Sequence, residues 1–132
     1  MSTIVDSSVL VAALVDSGPY GDWAETVLSG GLLLAPELVL VEATNIFRRL
    51  ERAKLIAPAE ANAAQDDLMQ LEIELFPFEP FADRIWELRH NVTSYDAWYV
   101  AIAEALMIPL ATLDGPLSKS NGITCKFLTP GF

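Results

Sequence analysis

The sequence predicts an α/β protein built on a central parallel sheet with helices on both faces. Short apolar runs alternate along the chain with longer segments whose apolar residues recur at helical spacing. No linker, repeat or low-complexity stretch interrupts that alternation. Strands of this kind are buried on both faces, as in parallel sheets joined by helical crossovers. A chain of 132 residues suits one domain over its whole length, 1–132, and is long enough to bury about two-thirds of its unfolded surface.

The elements follow in order. Thr3, Ile4 and Val5 read as a first strand, and Val9, Leu10, Ala13 and Leu14 as the apolar face of a helix over 7–15. Ser17-Gly18-Pro19 is a turn, and a helix over about 21–29 is stopped by Gly30-Gly31. A second strand spans 32–35 ahead of Pro36. Helices are expected over about 37–53 and 58–74, the latter with Pro58 at its first position. A strand over 75–78 precedes two amphipathic stripes, Phe81, Ile85, Leu88, Val92 and then Tyr95, Trp98, Tyr99, Ile102, Leu106. A strand over 110–112, a short helix over 116–120 and a strand over 124–128 close the pattern. The connections should be right-handed crossovers.

Composition narrows the function classes. Eighteen acidic against eight basic residues give a net charge of −10, which argues against a protein that coats nucleic acid. Arg48, Arg49, Arg52 and Lys54 form one basic cluster and Arg84 with Arg89 another, while 1–47 and 55–83 hold no Lys or Arg. The bland reading of Arg48, Arg49 and Arg52 is a solvated helix face, and the functional one is a grip on phosphates. No apolar run approaches a membrane span, and Met1 leads straight into the first strand with no room for a signal peptide. The chain is therefore read as cytoplasmic, in keeping with its single cysteine, Cys125.

The candidate site is acidic. In an open parallel sheet, ligands bind at the carboxyl ends of the strands near a topological switch point. Asp6 falls there, directly after the first strand, and Asp114 follows Leu110-Ala111-Thr112 in the same way. Asp96 lies in the first turn of the helix that begins after Ser94. Each has an ordinary explanation as a helix cap or as a partner of the positive helix end. Glu42 resists that treatment. It is expected mid-helix in "LVLVEATNIFRRL", where it interrupts an apolar stripe, and a buried carboxylate needs a cation, a donor or a proton. The alternatives for Glu42 are a salt bridge to Arg49 or a place at the solvent boundary.

Four carboxylates converging on one sheet edge would repel one another, and an all-oxygen set suits a hard cation, Mg²⁺ or Mn²⁺. The lone His90 offers no zinc pattern, and Cys125 has no partner cysteine. The set points to metal-assisted phosphoryl chemistry with water as nucleophile. A haloacid-dehalogenase-like phosphatase would want Asp-x-Asp after the first strand, where this chain has Ser7 and Ser8. Neither GxGxxG nor GxxxxGK[ST] occurs, which argues against a nucleotide-binding loop.

At this point the chain resembles the PIN-domain ribonucleases, specifically the VapC-type toxins of VapBC toxin–antitoxin pairs. The resemblance rests on four motifs in order across the chain: "IVDSSVLVA", "LVLVEATNIFRRL", "TSYDAWYVAIAEAL" and "LATLDGPL". It implies a PIN-like three-layer α/β/α sandwich with a central sheet of four to five short parallel strands. It assigns Asp6, Glu42, Asp96 and Asp114 to the acidic site, with one or two Mg²⁺ or Mn²⁺ ions bound chiefly through Asp6 and Asp96. Thr112 becomes a hydroxyl helper and Asn45 a supporting group one turn after Glu42. The implied activity is endoribonucleolytic hydrolysis that leaves a 5′-phosphate and a 3′-hydroxyl. The implied partners are RNA, a second copy of the chain, and a VapB-type antitoxin. Its groove is expected near Tyr20, Trp23, Phe47, Leu50 and Leu55, residues that also suit a plain core. The rival from another class is a PIN-like interaction module without turnover.

Overall fold

A computed structural model describes residues 1–132. Five parallel strands lie in the order β3-β2-β1-β4-β5: β1 (Ser2–Val5), β2 (Leu32–Pro36), β3 (Ile73–Phe76), β4 (Leu110–Ala111) and β5 (Phe127–Leu128). Register is set by the apolar triplets, with Thr3 opposite Leu33, Ile4 between Leu34 and Leu110, and Val5 beside Ala111. Ile4, Val5, Leu34, Ala35, Leu110 and Ala111 are buried, as expected of strands covered on both faces.

The helices are α1 (Ser7–Val15), α2 (Pro19–Leu28), α3 (Val39–Arg52), α4 (Pro58–Gln70), α5 (Ala82–Glu87), α6 (Ser94–Leu106) and α7 (Gly115–Ser118). Helices α1 to α4 pack on one another, whereas α6 packs on β1, β2 and β4 with α5 against it. The chain runs outward from β1 to β3 and then returns to β4, a reversal that by the right-handed rule for parallel crossovers puts these two groups on opposite faces. The three-layer expectation is met.

Side-chain caps mark several helix starts: Asp6 caps α1, Thr93 caps α6 and Asp114 caps α7. Pro19 and Pro58 stand in the first turns of α2 and α4, where a missing N–H costs nothing. At α4 the Glu60 carboxylate accepts from Ala57 N at 3.1 Å, half of a capping box whose other half an alanine cannot supply. Close approach explains one glycine. A Cβ on Gly21 would lie 1.8 Å from the Asp16 carbonyl oxygen, so α2 can fold back tightly on α1 only with glycine there.

Several boundaries differ from expectation. Helix α4 ends at Gln70 and not at 74, because Leu71 turns extended and frees Ile73–Phe76 to pair with β2. The Phe81 stripe is a 3-10 turn (Glu79–Phe81) followed by the short α5. Strand β5 shrinks to Phe127–Leu128, held by Leu110 N donating to the Lys126 carbonyl and Thr112 N to that of Leu128. Of the residues expected to line an apolar groove, Phe47 belongs to the core and Tyr20 packs on Phe132. Leu50 and Leu55 do border a groove, together with Val11, Val15, Ile46 and Ile56. No helix is long and apolar enough to cross a membrane.

Candidate active site

Strand order reverses between β1 and β4, which places the crevice at the carboxyl ends of those two neighbours. Asp6 leaves the end of β1 and is buried. Its Oδ1 accepts from Val9 N at 3.2 Å, the cap of α1, and also from the Ser8 hydroxyl. Its Oδ2 accepts from the hydroxyl of the buried Thr112, at the end of β4. Ser8 Oγ in turn accepts from Leu113 N at 3.2 Å, and Thr112 Oγ1 from Asp114 N at 2.9 Å. Asp6 is therefore a cap and the centre of a hydrogen-bonded seam between β1 and β4.

Helix α3 begins at Val39, which puts Glu42 in its first turn and not mid-helix. The chain upstream has no Ser, Thr, Asp or Asn cap to mark that start, and Leu38 takes the position. Glu42 is half-buried and accepts from the phenol of Tyr99, a buried residue of α6. No salt bridge joins it to Arg49; the protein's one ion pair is Arg84–Glu104. Asp96 is half-buried in the first turn of α6, and its backbone N donates to Thr93 Oγ1 at 3.3 Å. Asp114 caps α7, its Oδ1 accepting from Leu117 N at 2.9 Å.

The carboxyl groups raise one another's proton affinity. Burial pushes Asp6 above the ordinary aspartate value against the pull of its three donors, and the Asp96 charge adds to the rise. Glu42 is raised first by burial, then by Asp96 and Asp6, with Tyr99 opposing. Asp96 is raised by burial and by the Asp114 charge. The Tyr99 phenol, buried and bonded to Glu42, is held firmly protonated and serves as a donor. Burial, with Glu104 behind it, pushes Cys125 up to about 11, so it is a packing thiol and not a nucleophile.

Asp96 and Asp114 line an open cleft of about 410 Å³ together with Arg89, His90 and Thr93. Asn45 is exposed and makes no side-chain hydrogen bond, so the structure gives it no supporting role. Arg48, Arg49 and Arg52 are exposed along α3. Sequence reading overlooked Ser8 and the hydrogen-bonding role of Tyr99. The only signals were proximity, Ser8 two residues past Asp6 and Tyr99 one helical turn past Asp96.

The chemistry of this donor set fits a hard divalent cation. No three His, Cys, Asp or Glu side chains are arranged to hold a metal ion together. Magnesium is commonly bound by one or two carboxylates, with waters completing its octahedron, so Asp6 and Asp96 suffice in number. Mutual repulsion among carboxylates at this edge is what a cation relieves.

Together these features define an α/β protein with a candidate all-carboxylate site at the switch point of a parallel sheet. The chain belongs to the PIN-domain family, whose model matches residues 3–121. Ribonuclease VapC1 of Mycobacterium tuberculosis is 36% identical over 124 residues, covering 93% of each chain. The crystal structure of VapC20 from the same organism, a sarcin-ricin-loop-cleaving toxin, superposes with a TM-score of 0.67 at 19% identity, covering 92% of this chain and 96% of that one. That of VapBC2 from Rickettsia felis, bound to a promoter DNA fragment, has a TM-score of 0.65 at 14% identity and covers 98% of each chain. The structural likenesses concern the fold, and it agrees with the family.

Proposed function

We propose that this protein, read as one PIN-like domain over 1–132, is a VapC-type endoribonuclease that hydrolyses RNA with Mg²⁺ or Mn²⁺. Asp6, Glu42, Asp96 and Asp114 form its acidic site. The observation that carries the reading is the seam at Asp6, which fixes one carboxylate between β1 and β4, with the charges of Asp96 and Glu42 coupled to it. The kinship with ribonuclease VapC1 supports the choice of RNA as substrate.

Asp6 and Asp96 would hold a divalent cation, which when bound would supply Lewis acidity, lowering the pKa of water and offsetting charge on the phosphate. The chain's own groups do the rest. Thr112, Ser8 and Val9 N hold the Asp6 carboxylate in one orientation, so little reorganisation is needed when substrate arrives. Tyr99 holds Glu42 toward the site. Glu42 and Asp114 orient water or accept the proton lost as it attacks. Attack in line with the 3′-oxygen breaks the P–O3′ bond, and the leaving oxygen takes a proton to give the 3′-hydroxyl beside a 5′-phosphate.

The same reading assigns a VapB-type antitoxin as inhibitor, a second copy of this chain as partner, and the cytoplasm as the place of action. The VapBC2 structure from Rickettsia felis, of the same fold, supports the antitoxin. End-mapping of RNA after incubation with purified protein tests the proposal. Discrete 5′-phosphate ends should appear with Mg²⁺ or Mn²⁺ and vanish in excess chelator. Cleavage undiminished by chelator overturns the metal, and no cleavage under any condition returns the protein to an interaction module.

A further inference from the structure

We infer that Arg89, which lines the acidic cleft, and Trp86, whose ring it covers, form a recognition element for single-stranded RNA: the indole stacks an unpaired base and the guanidinium holds a neighbouring phosphate. The inference deepens the ribonuclease reading and rests on it. The Arg89 guanidinium lies 4.3 Å from the centroid of the Trp86 ring, and Nη1 donates to the Trp86 carbonyl at 2.9 Å. Two interactions thus hold a long, otherwise flexible side chain in place. Arg89 lines the cleft that also holds Asp96 and Asp114, with His90 beside it.

The protein carries eighteen carboxylates and eight cationic side chains, yet Arg89 pairs with none of the carboxylates. Arg84, five residues earlier, does pair, with Glu104. An unpaired, pre-positioned cation lining the same cleft as two carboxylates suits a substrate that brings its own negative charge. Trp86 remains 67% exposed although Arg89 covers one face, leaving apolar surface for a base. An aromatic ring beside an Arg plane is the arrangement on which unstacked bases are bound, and it favours single strands over duplex. The cluster at Arg48 and Arg49 lacks such an arrangement. It starts six residues beyond Glu42, about 9 Å along the helix axis.

Fluorescence anisotropy of a labelled single-stranded RNA in chelator, with no turnover, tests this. Trp86→Ala should weaken binding about tenfold, from the usual worth of one stacked base, and Trp86→Phe should restore most of it. Arg89→Gln should lower the salt slope by about 0.7, the value for one phosphate on a single strand, while Arg89→Lys keeps that slope. Duplex RNA should bind more weakly than the single strand to wild type and be indifferent to Trp86. Both residues are exposed, and thermal melts should show the variants folded like wild type. Wild-type binding and salt slopes in Trp86→Ala and Arg89→Gln, with RNA still cleaved in Mg²⁺, overturn the inference and leave the ribonuclease reading intact. Wild type that neither binds nor cleaves RNA overturns both.

Discussion

Asp6 caps α1 where the first turn of that helix and the switch point of the sheet coincide. The cap reading and the proposed site role, rivals in the sequence, are compatible with one arrangement. That coincidence is legible only in three dimensions, since Thr112, the second donor, is 106 positions away. Asp96 gives the site its clearest pH signature. Asp6, Glu42 and Asp96 all have raised folded-state pKa values, so the folded protein binds protons more tightly than the unfolded chain. Their contribution to stability is full below the unfolded carboxyl range, about pH 4, and is lost as pH rises through the raised values. Asp96→Asn removes its own share and its repulsion on the other two. In chelator, the variant should therefore lose less stability than wild type between acid and neutral pH. Parallel melting-temperature profiles for the two proteins would show that the carboxylates do not interact.

Among the elements, strands were easier to place than helix ends. The apolar runs at 3–5, 32–35 and 110–112 mark β1, β2 and β4 nearly to the residue, since only a doubly covered strand needs such sequence. Helix ends without caps were harder: α3 starts at an uncapped Leu38, and α4 stops where β2 needs a partner rather than where its own sequence breaks. The loop before β5 was also hidden, since it is held by side chains rather than by turn residues. Arg84 Nε donates to Glu104 Oε1 at 2.7 Å and Nη2 to the Gly122 carbonyl at 2.7 Å, while Glu104 Oε2 accepts from Thr124 N at 2.7 Å. Burial alone would raise Glu104, but the Arg84 bond and the two Thr124 bonds outweigh it and leave the carboxyl below its ordinary range. A lowered carboxyl contributes stability above its unfolded pKa, and that contribution is lost as pH falls through the folded value. Arg84→Met should cost about 1.5–3 kcal/mol at neutral pH, the usual loss for hydrogen bonds to a charged group. The loss should shrink in acid. Urea denaturation at the two pH values measures it, and a loss equal at both would assign Arg84 to packing.

For the whole molecule, the charge of −10 and a single ion pair leave most of the acidic surface solvated. Screening by salt should stabilise such a chain slightly whatever the ion. A cation bound at the acidic site does more: a ligand that binds only the folded state adds about 2.7 kcal/mol at a hundredfold excess over its dissociation constant. Mg²⁺ should therefore raise the melting temperature beyond NaCl of matched ionic strength, and Asp96→Asn should lose most of that excess. Equal shifts from the two salts would reduce the effect to screening.

The seam between Asp6 and Thr112 also bears on synthesis. Of the five strands the central one, β1, is made first, but one of its two neighbours, β4, is made fourth. Until Thr112 arrives, β1 has an open edge, and Asp6 lacks the hydroxyl that fixes its outer oxygen. Asp114 follows two residues later. Once Asp96 is made, a nascent chain carries three of the four proposed site carboxylates for 18 residues before Asp114 follows. Competence arrives late and in one step, when β4 docks. Stalled chains ending before Thr112 should be inert toward RNA, and chains that extend past β5 with Phe127–Leu128 free of the ribosomal tunnel should be active.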